Sequence, residues 1–66
     1  MKVFVKERRD REGVTTYVLE GFISSTRLSK GCLVGVAAET VDELCHGGEL
    51  EVSDQAWRGS CTIVRS

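Results

Sequence analysis

Val14-Thr15-Thr16-Tyr17-Val18-Leu19-Glu20-Gly21-Phe22-Ile23-Ser24 is the stretch on which the reading of the fold turns. Most of its positions are β-branched or aromatic, a composition that suits a pleated, half-buried strand. Thr15, Tyr17, Leu19 and Ile23 fall on one side, and Thr16, Val18 and Phe22 on the other. Apolar residues on both sides mark a central strand, or a barrel wall with a partner outside it. Gly21 reads as a bulge or bend, the usual meaning of a glycine inside a strand.

Working outward, Lys2 to about Arg9 alternates in the same way, with Val3 and Val5 opposite Phe4. Asp10-Arg11-Glu12-Gly13 joins the two strands, because Gly13 accepts the positive φ that closes a tight loop. On the other side, Ser24 to Gly31 is a polar connection, and Cys32-Leu33-Val34-Gly35-Val36-Ala37 a short buried strand. Thr40-Val41-Asp42-Glu43 has the form of a capping box: the Thr40 hydroxyl accepts from the Glu43 N–H while the carboxylate reaches back. The helix that it opens carries Val41, Leu44 and Cys45 on one face and stops at Gly47-Gly48. Leu50 and Val52 alternate with acids in a strand over 49–53. Asp54 to Gly59 is a turn bearing Trp57 and Arg58, and Ser60 to Arg65 is a last strand.

The expected order is therefore β-β-β-α-β-β within a single domain spanning residues 1–66. The class is α+β: a small, mostly antiparallel sheet of four to five strands with one short helix. A five-stranded OB-like barrel is the alternative that the same order allows.

A chain of 66 residues buries only about 60% of the surface that it exposes when unfolded. Its core is expected to supply no more than roughly 3–5 kcal/mol, so a staple of some kind is called for. Three cysteines, an odd number, argue against a disulfide framework. Met1-Lys2-Val3 does not read as a secretory signal, and the longest apolar run, Cys32 to Ala38, is far short of the ~20 residues of a membrane span. These points lead to the expectation of a cytoplasmic protein with free thiols and no membrane partner, stabilised by a second subunit.

Charge is unevenly spread. Residues 1–13 carry five basic and three acidic side chains, while residues 39–54 carry six acids and no Lys or Arg. Such a polarised chain sets opposite charges together within one subunit or between two.

Few residues offer chemistry. Cys45-His46 pairs a nucleophile with a base, but adjacent helical residues point about 100° apart. The negative C-terminal end of a helix also disfavours a thiolate. Cys32, Cys45, His46 and Cys61 have zinc-ligand types without a Cys-x-x-Cys or His-x-x-x-His knuckle, so no metal site is assigned. No glycine-rich phosphate loop, acid/base pair or triad is present, and neither catalysis nor a cofactor is expected.

Two surfaces remain. Trp57 and Arg58, with Tyr17, have the composition of a protein interface. Lys6, Arg8, Arg9 and Arg11 flank the first turn, where an OB-type barrel grips single-stranded nucleic acid with aromatics stacked on its bases. Glu7, Asp10 and Glu12 offset much of that charge. The sequence thus points first to a small non-enzymatic protein-interaction module, itself a homodimer. It would be a regulator or inhibitor of a larger protein, of the kind that bacterial or phage mobile elements encode. An OB-like nucleic-acid binder comes second.

Overall fold

Glu12 and Gly13 both take positive φ, 53° and 78°, the backbone that a two-residue hairpin loop needs. In the computed structural model, which describes residues 1–65, this loop joins strand β1 (Lys2–Arg11) to β2 (Val14–Ile23). Strands β3 (Thr26–Leu28), β4 (Gly31–Leu33), β5 (Glu49–Glu51), β6 (Trp57–Gly59) and β7 (Ile63–Arg65) follow. Helix α1 (Ala38–Cys45) lies between β4 and β5, and a 3-10 turn spans Asp54–Ala56.

β2 is the central strand, in keeping with its two apolar faces. β1 pairs along one of its edges, while β3 and β7 share the other; β5 adds beyond β1, opposite Lys2–Phe4. β4 and β6 form a separate antiparallel ribbon. The main sheet does not close on itself, so the OB-like barrel gives way to an open antiparallel sheet. One face of it packs against the helix and the ribbon. Val3, Tyr17 and Leu19 from the sheet meet Val41 and Leu44 from α1 and Ile63 from β7, with Cys32, Leu33 and Trp57 packed against them.

The β1–β2 register breaks once. Val5 lies opposite Leu19 and Glu7 opposite Val18, which leaves Lys6 unpaired as the extra residue of a bulge. Gly21, the expected site of irregularity, pairs regularly with Val3 and Leu28. A Cβ there would lie 2.5 Å from the flexible end of the Met1 side chain and at ordinary contact distance, 3.4 Å, from Trp57 Cζ3. Trp57 also covers Gly31, where a Cβ would enter its ring and come within 2.6 Å of the Arg58 carbonyl.

Other expectations are corrected in detail. The connection at 24–31 contains β3, because Ser24 and Ser25 adopt positive φ (46° and 70°) and turn the chain back at once. The turn at 54–59 contains β6. The strand expected over 32–37 is only Gly31–Leu33. Helix α1 begins before Thr40, with Ala37 as its N-cap and no side-chain cap. Thr40 donates its N–H to the Ala37 carbonyl at 3.1 Å and sits within the first turn, so the capping box does not form. The helix does end at the glycines, with Gly47 at φ 114°.

The largest correction concerns the thiols. Cys32 and Cys61 form a disulfide across 5.5 Å between Cα atoms, and Cys45 alone is free. An odd count requires only that one cysteine be left over; it says nothing against a bond between the other two. The bond ties β4 of the ribbon to the segment entering β7 of the main sheet, closing a loop over a separation of 29 residues. A cross-link over that span is worth about 3–4 kcal/mol by chain-entropy reasoning. Denaturation of the double variant Cys32→Ser/Cys61→Ser is expected to show a loss of that size, and reduction of the native chain the same loss. A second expectation is that Gly31→Ala costs about 1–3 kcal/mol by overpacking and shifts the Trp57 fluorescence.

Candidate functional site

Alternation along β2 puts Thr16, Val18, Glu20 and Phe22 on the face opposite Tyr17, Leu19 and Gly21. No helix or strand among the described residues lies over that face. The bulge at Lys6 brings Phe4 onto it, opposite Glu20, and Lys2 opposite Phe22. The Phe4 and Phe22 rings stack with centroids 5.8 Å apart and planes at 18°. Both rings, and Val18 beside them, are only half-buried. Val64 of β7, opposite Thr16, is 56% exposed.

Glu20 fixes the charges around the aromatic pair. It is only 5% exposed, and its two oxygens meet Lys6 Nζ at 3.1 Å and Arg27 Nε at 3.2 Å. A carboxylate buried to this extent needs partners, since an unpaired one is strongly disfavoured. Arg27 also stands over Phe22, with its guanidinium carbon 5.9 Å from the ring centroid. The result is an aromatic platform bracketed by two cations that share a single buried anion.

The residues expected to act from the sequence are dispersed. Tyr17 is a core residue, 8% exposed, with Arg8 5.9 Å from its ring. Trp57 is half-buried over Gly21 and Gly31, closing one end of the core, while Arg58 beside it is exposed. The basic run divides between the faces: Lys6, Arg9 and Arg11 point to the open side and Arg8 to the packed side. Lys6 is held by Glu20, Arg8 by Asp10 at 3.2 Å, and Arg9 by Glu7. Asp10 in turn accepts from the Thr15 hydroxyl at 2.6 Å. That bond first, and Arg8 after it, hold the Asp10 carboxyl below the usual carboxylate range.

Phe4 and Phe22 are the residues that sequence reasoning passed over. The place of Phe22 on the face opposite Tyr17 and Leu19 was legible, but that of Phe4 was not, because it depends on the bulge.

Nothing in the fold joins Cys45 to His46 chemically. The His46 Nδ1–H donates to the Asp42 carbonyl at 2.6 Å, turning the ring back along its own helix. Burial against the core pushes the Cys45 thiol up, only partly offset by Arg65. A cleft of about 400 Å³ lies between β4, α1 and β7, lined by apolar side chains such as Leu33, Val36 and Val41 together with Thr62 and Arg65. Its one cation, Arg65, lies with Nε 3.0 Å from Asp42 Oδ1. Two of the four zinc-type residues, Cys32 and Cys61, are consumed in the disulfide. Among the described residues no three His, Cys, Asp or Glu side chains converge as a metal site, and no helix is long and apolar enough to cross a membrane.

A raised thiol reacts slowly, since the thiolate is the nucleophile. Iodoacetamide at pH 8 is expected to alkylate Cys45 more slowly in the folded chain than in the urea-unfolded, unreduced chain, as followed by mass. An equal or faster rate in the folded chain would mean an activated thiol.

No protein-family model, curated protein or solved structure matches this chain.

Proposed function

We propose that this chain is a small non-enzymatic interaction module that docks on a larger protein through the open face of its sheet. The observation that supports this reading is the partly buried Phe4–Phe22 stack, bracketed by Lys6 and Arg27 over the buried Glu20. A partner suited to it presents apolar or aromatic side chains to the rings and carboxylates to the two cations. Trp57 and Arg58 play a smaller part than their composition implies, Trp57 as a lid on the core and Arg58 at the margin. A second copy of the chain is the other partner in this reading.

A regulator or inhibitor of a larger bacterial or phage protein fits this description by size. A cytoplasmic setting belongs to the same reading, but its argument from free thiols is gone. Disulfides persist chiefly in oxidising compartments, so the Cys32–Cys61 bond weighs on the other side.

The test is capture from the native host by the immobilised chain, identified by mass spectrometry. Phe4→Ser and Phe22→Ser change partly buried positions outside the core cluster and are expected to leave the fold cooperative, with stability changed by about 1–2 kcal/mol. Their combination is expected to lose the captured protein, whereas Lys30→Ala, away from the patch, keeps it. Retention of the same partner by the Phe double variant would remove the open face from the reading.

One observation favours a second reading. Aromatics on an open antiparallel sheet with cations beside them form a platform on which unpaired bases stack, and Lys6, Arg9, Arg11 and Arg27 share that face. The carboxylates of Glu7 and Glu20 already occupy three of these cations, which is why this reading stands second. Labelled single-stranded DNA or RNA that binds at low salt, weakens steeply with salt and is lost in the Phe double variant would place it first.

A further inference from the structure

β1 is paired on its outer edge only at Lys2–Phe4, where β5 adds. From Val5 to Arg11 that edge meets no strand among the described residues. The hairpin loop decides which backbone groups face outward. Arg11 and Val14 close a two-residue loop as a hydrogen-bonded pair, so Arg9 and Glu7 direct their N–H and C=O groups to β2 as well. Arg8 and Asp10, between them, direct theirs away from the hairpin.

Such a row of free donors and acceptors is a template for another strand, and charged side chains ordinarily guard it. Here the order of the charges guards it selectively. The regular part of the strand, Glu7-Arg8-Arg9-Asp10-Arg11, laid antiparallel against itself and centred on Arg9, sets Arg8 opposite Asp10 and Glu7 opposite Arg11. Every one of these is an opposite-charge pair and occurs twice by symmetry. Only Arg9 meets its own copy, each of the two already paired with a Glu7. Outward-facing residues must meet outward-facing residues, so the pairing is centred on a residue rather than between two. Among the same residues, centring on Arg8 leaves one opposite-charge pair, Glu7 with Arg9, and centring on Asp10 leaves none and sets Arg9 against Arg11.

We propose that a second copy of this chain pairs antiparallel along the free edge of β1, centred on Arg9, to make one continuous sheet. This rests on the reading above only for the idea that the chain self-associates; the surface is separate from the open face. The two-fold axis of such a pair runs perpendicular to the sheet. Both Phe4–Phe22 platforms therefore remain on the same side, and a larger partner is held by two patches instead of one.

The test is oxidative cross-linking of the full chain. In an antiparallel pair centred on Arg9, the two copies of residue 9 form a non-hydrogen-bonded pair with Cα atoms about 4.5 Å apart, within the range that a disulfide accepts. In a Cys45→Ser background, Arg9→Cys is expected to give a covalent dimer on mild oxidation. Arg11→Cys, opposite Glu7, is expected to stay monomeric. Sedimentation of the unaltered chain at micromolar concentration is expected to show a dimer. Arg8→Asp is expected to weaken it about tenfold by setting like charges opposite at two places, and Arg8→Asp/Asp10→Arg to restore it. A dimer that Arg9→Cys does not cross-link and Arg8→Asp does not weaken overturns this pairing and leaves self-association standing. A monomer at every concentration overturns both.

Discussion

A single unpaired residue in β1, Lys6, decides which side of the sheet each part of that strand faces. Val3, Val5, Glu7, Arg9 and Arg11 would share one face in a regular strand, since alternation has a period of two. Counting back from the Glu12-Gly13 loop without a bulge, Val3 meets Phe22 and Phe4 meets Gly21. The valines would then lie on the open face and Phe4 against the core. The extra residue at Lys6 moves the pairing to Val3 opposite Gly21 and Phe4 opposite Glu20. Val3 becomes fully buried, while Glu7, Arg9 and Arg11 stay on the solvated side. A one-residue change of register exchanges every side chain between faces, so both the core and the aromatic platform depend on it.

The bulge also serves the electrostatics of the open face. Lys6 reaches Glu20 from its displaced position, and Arg27 reaches the same carboxylate from β3. Two half-exposed cations flank one buried anion, which keeps them beside the Phe4 and Phe22 rings instead of free in water. Four of the six acids in the acidic segment are paired elsewhere. Lys2 meets Glu49 at 3.4 Å, Arg65 meets Asp42, and the Met1 amino group lies 3.3 Å from Glu51 and 3.5 Å from Asp54. Opposite charges are thus set side by side within one subunit at the base of the sheet. The hairpin arm, in contrast, keeps an alternating series of its own.

The ribbon of β4 and β6 gives the small domain its second layer. Trp57 covers Gly21 and Gly31, and at Gly31 a Cβ would collide with its ring and with the Arg58 carbonyl, while the Cys32–Cys61 bond holds the ribbon to the strand entering β7. A chain of this length needs some such cross-brace. The brace proves to be covalent and internal, so the argument from size no longer requires a second subunit. What still favours one is the geometry of the free β1 edge.

By itself the sequence determined the two long strands, the loop between them, the sides of β2 and the glycines that end the helix. Each of these is a local preference: β-branched alternation, a positive φ at Gly13, and the absence of a side chain at Gly47. Tertiary structure alone decided the bulge, the pairing of Cys32 with Cys61, the short strands β3 and β6, and the early start of α1. These follow from contacts between residues far apart in the chain. Burial of Val3 against α1 is satisfied only if β1 slips by one residue, Trp57 finds its glycines only across two sheets, and no period or spacing near Lys6 or Cys32 records either event.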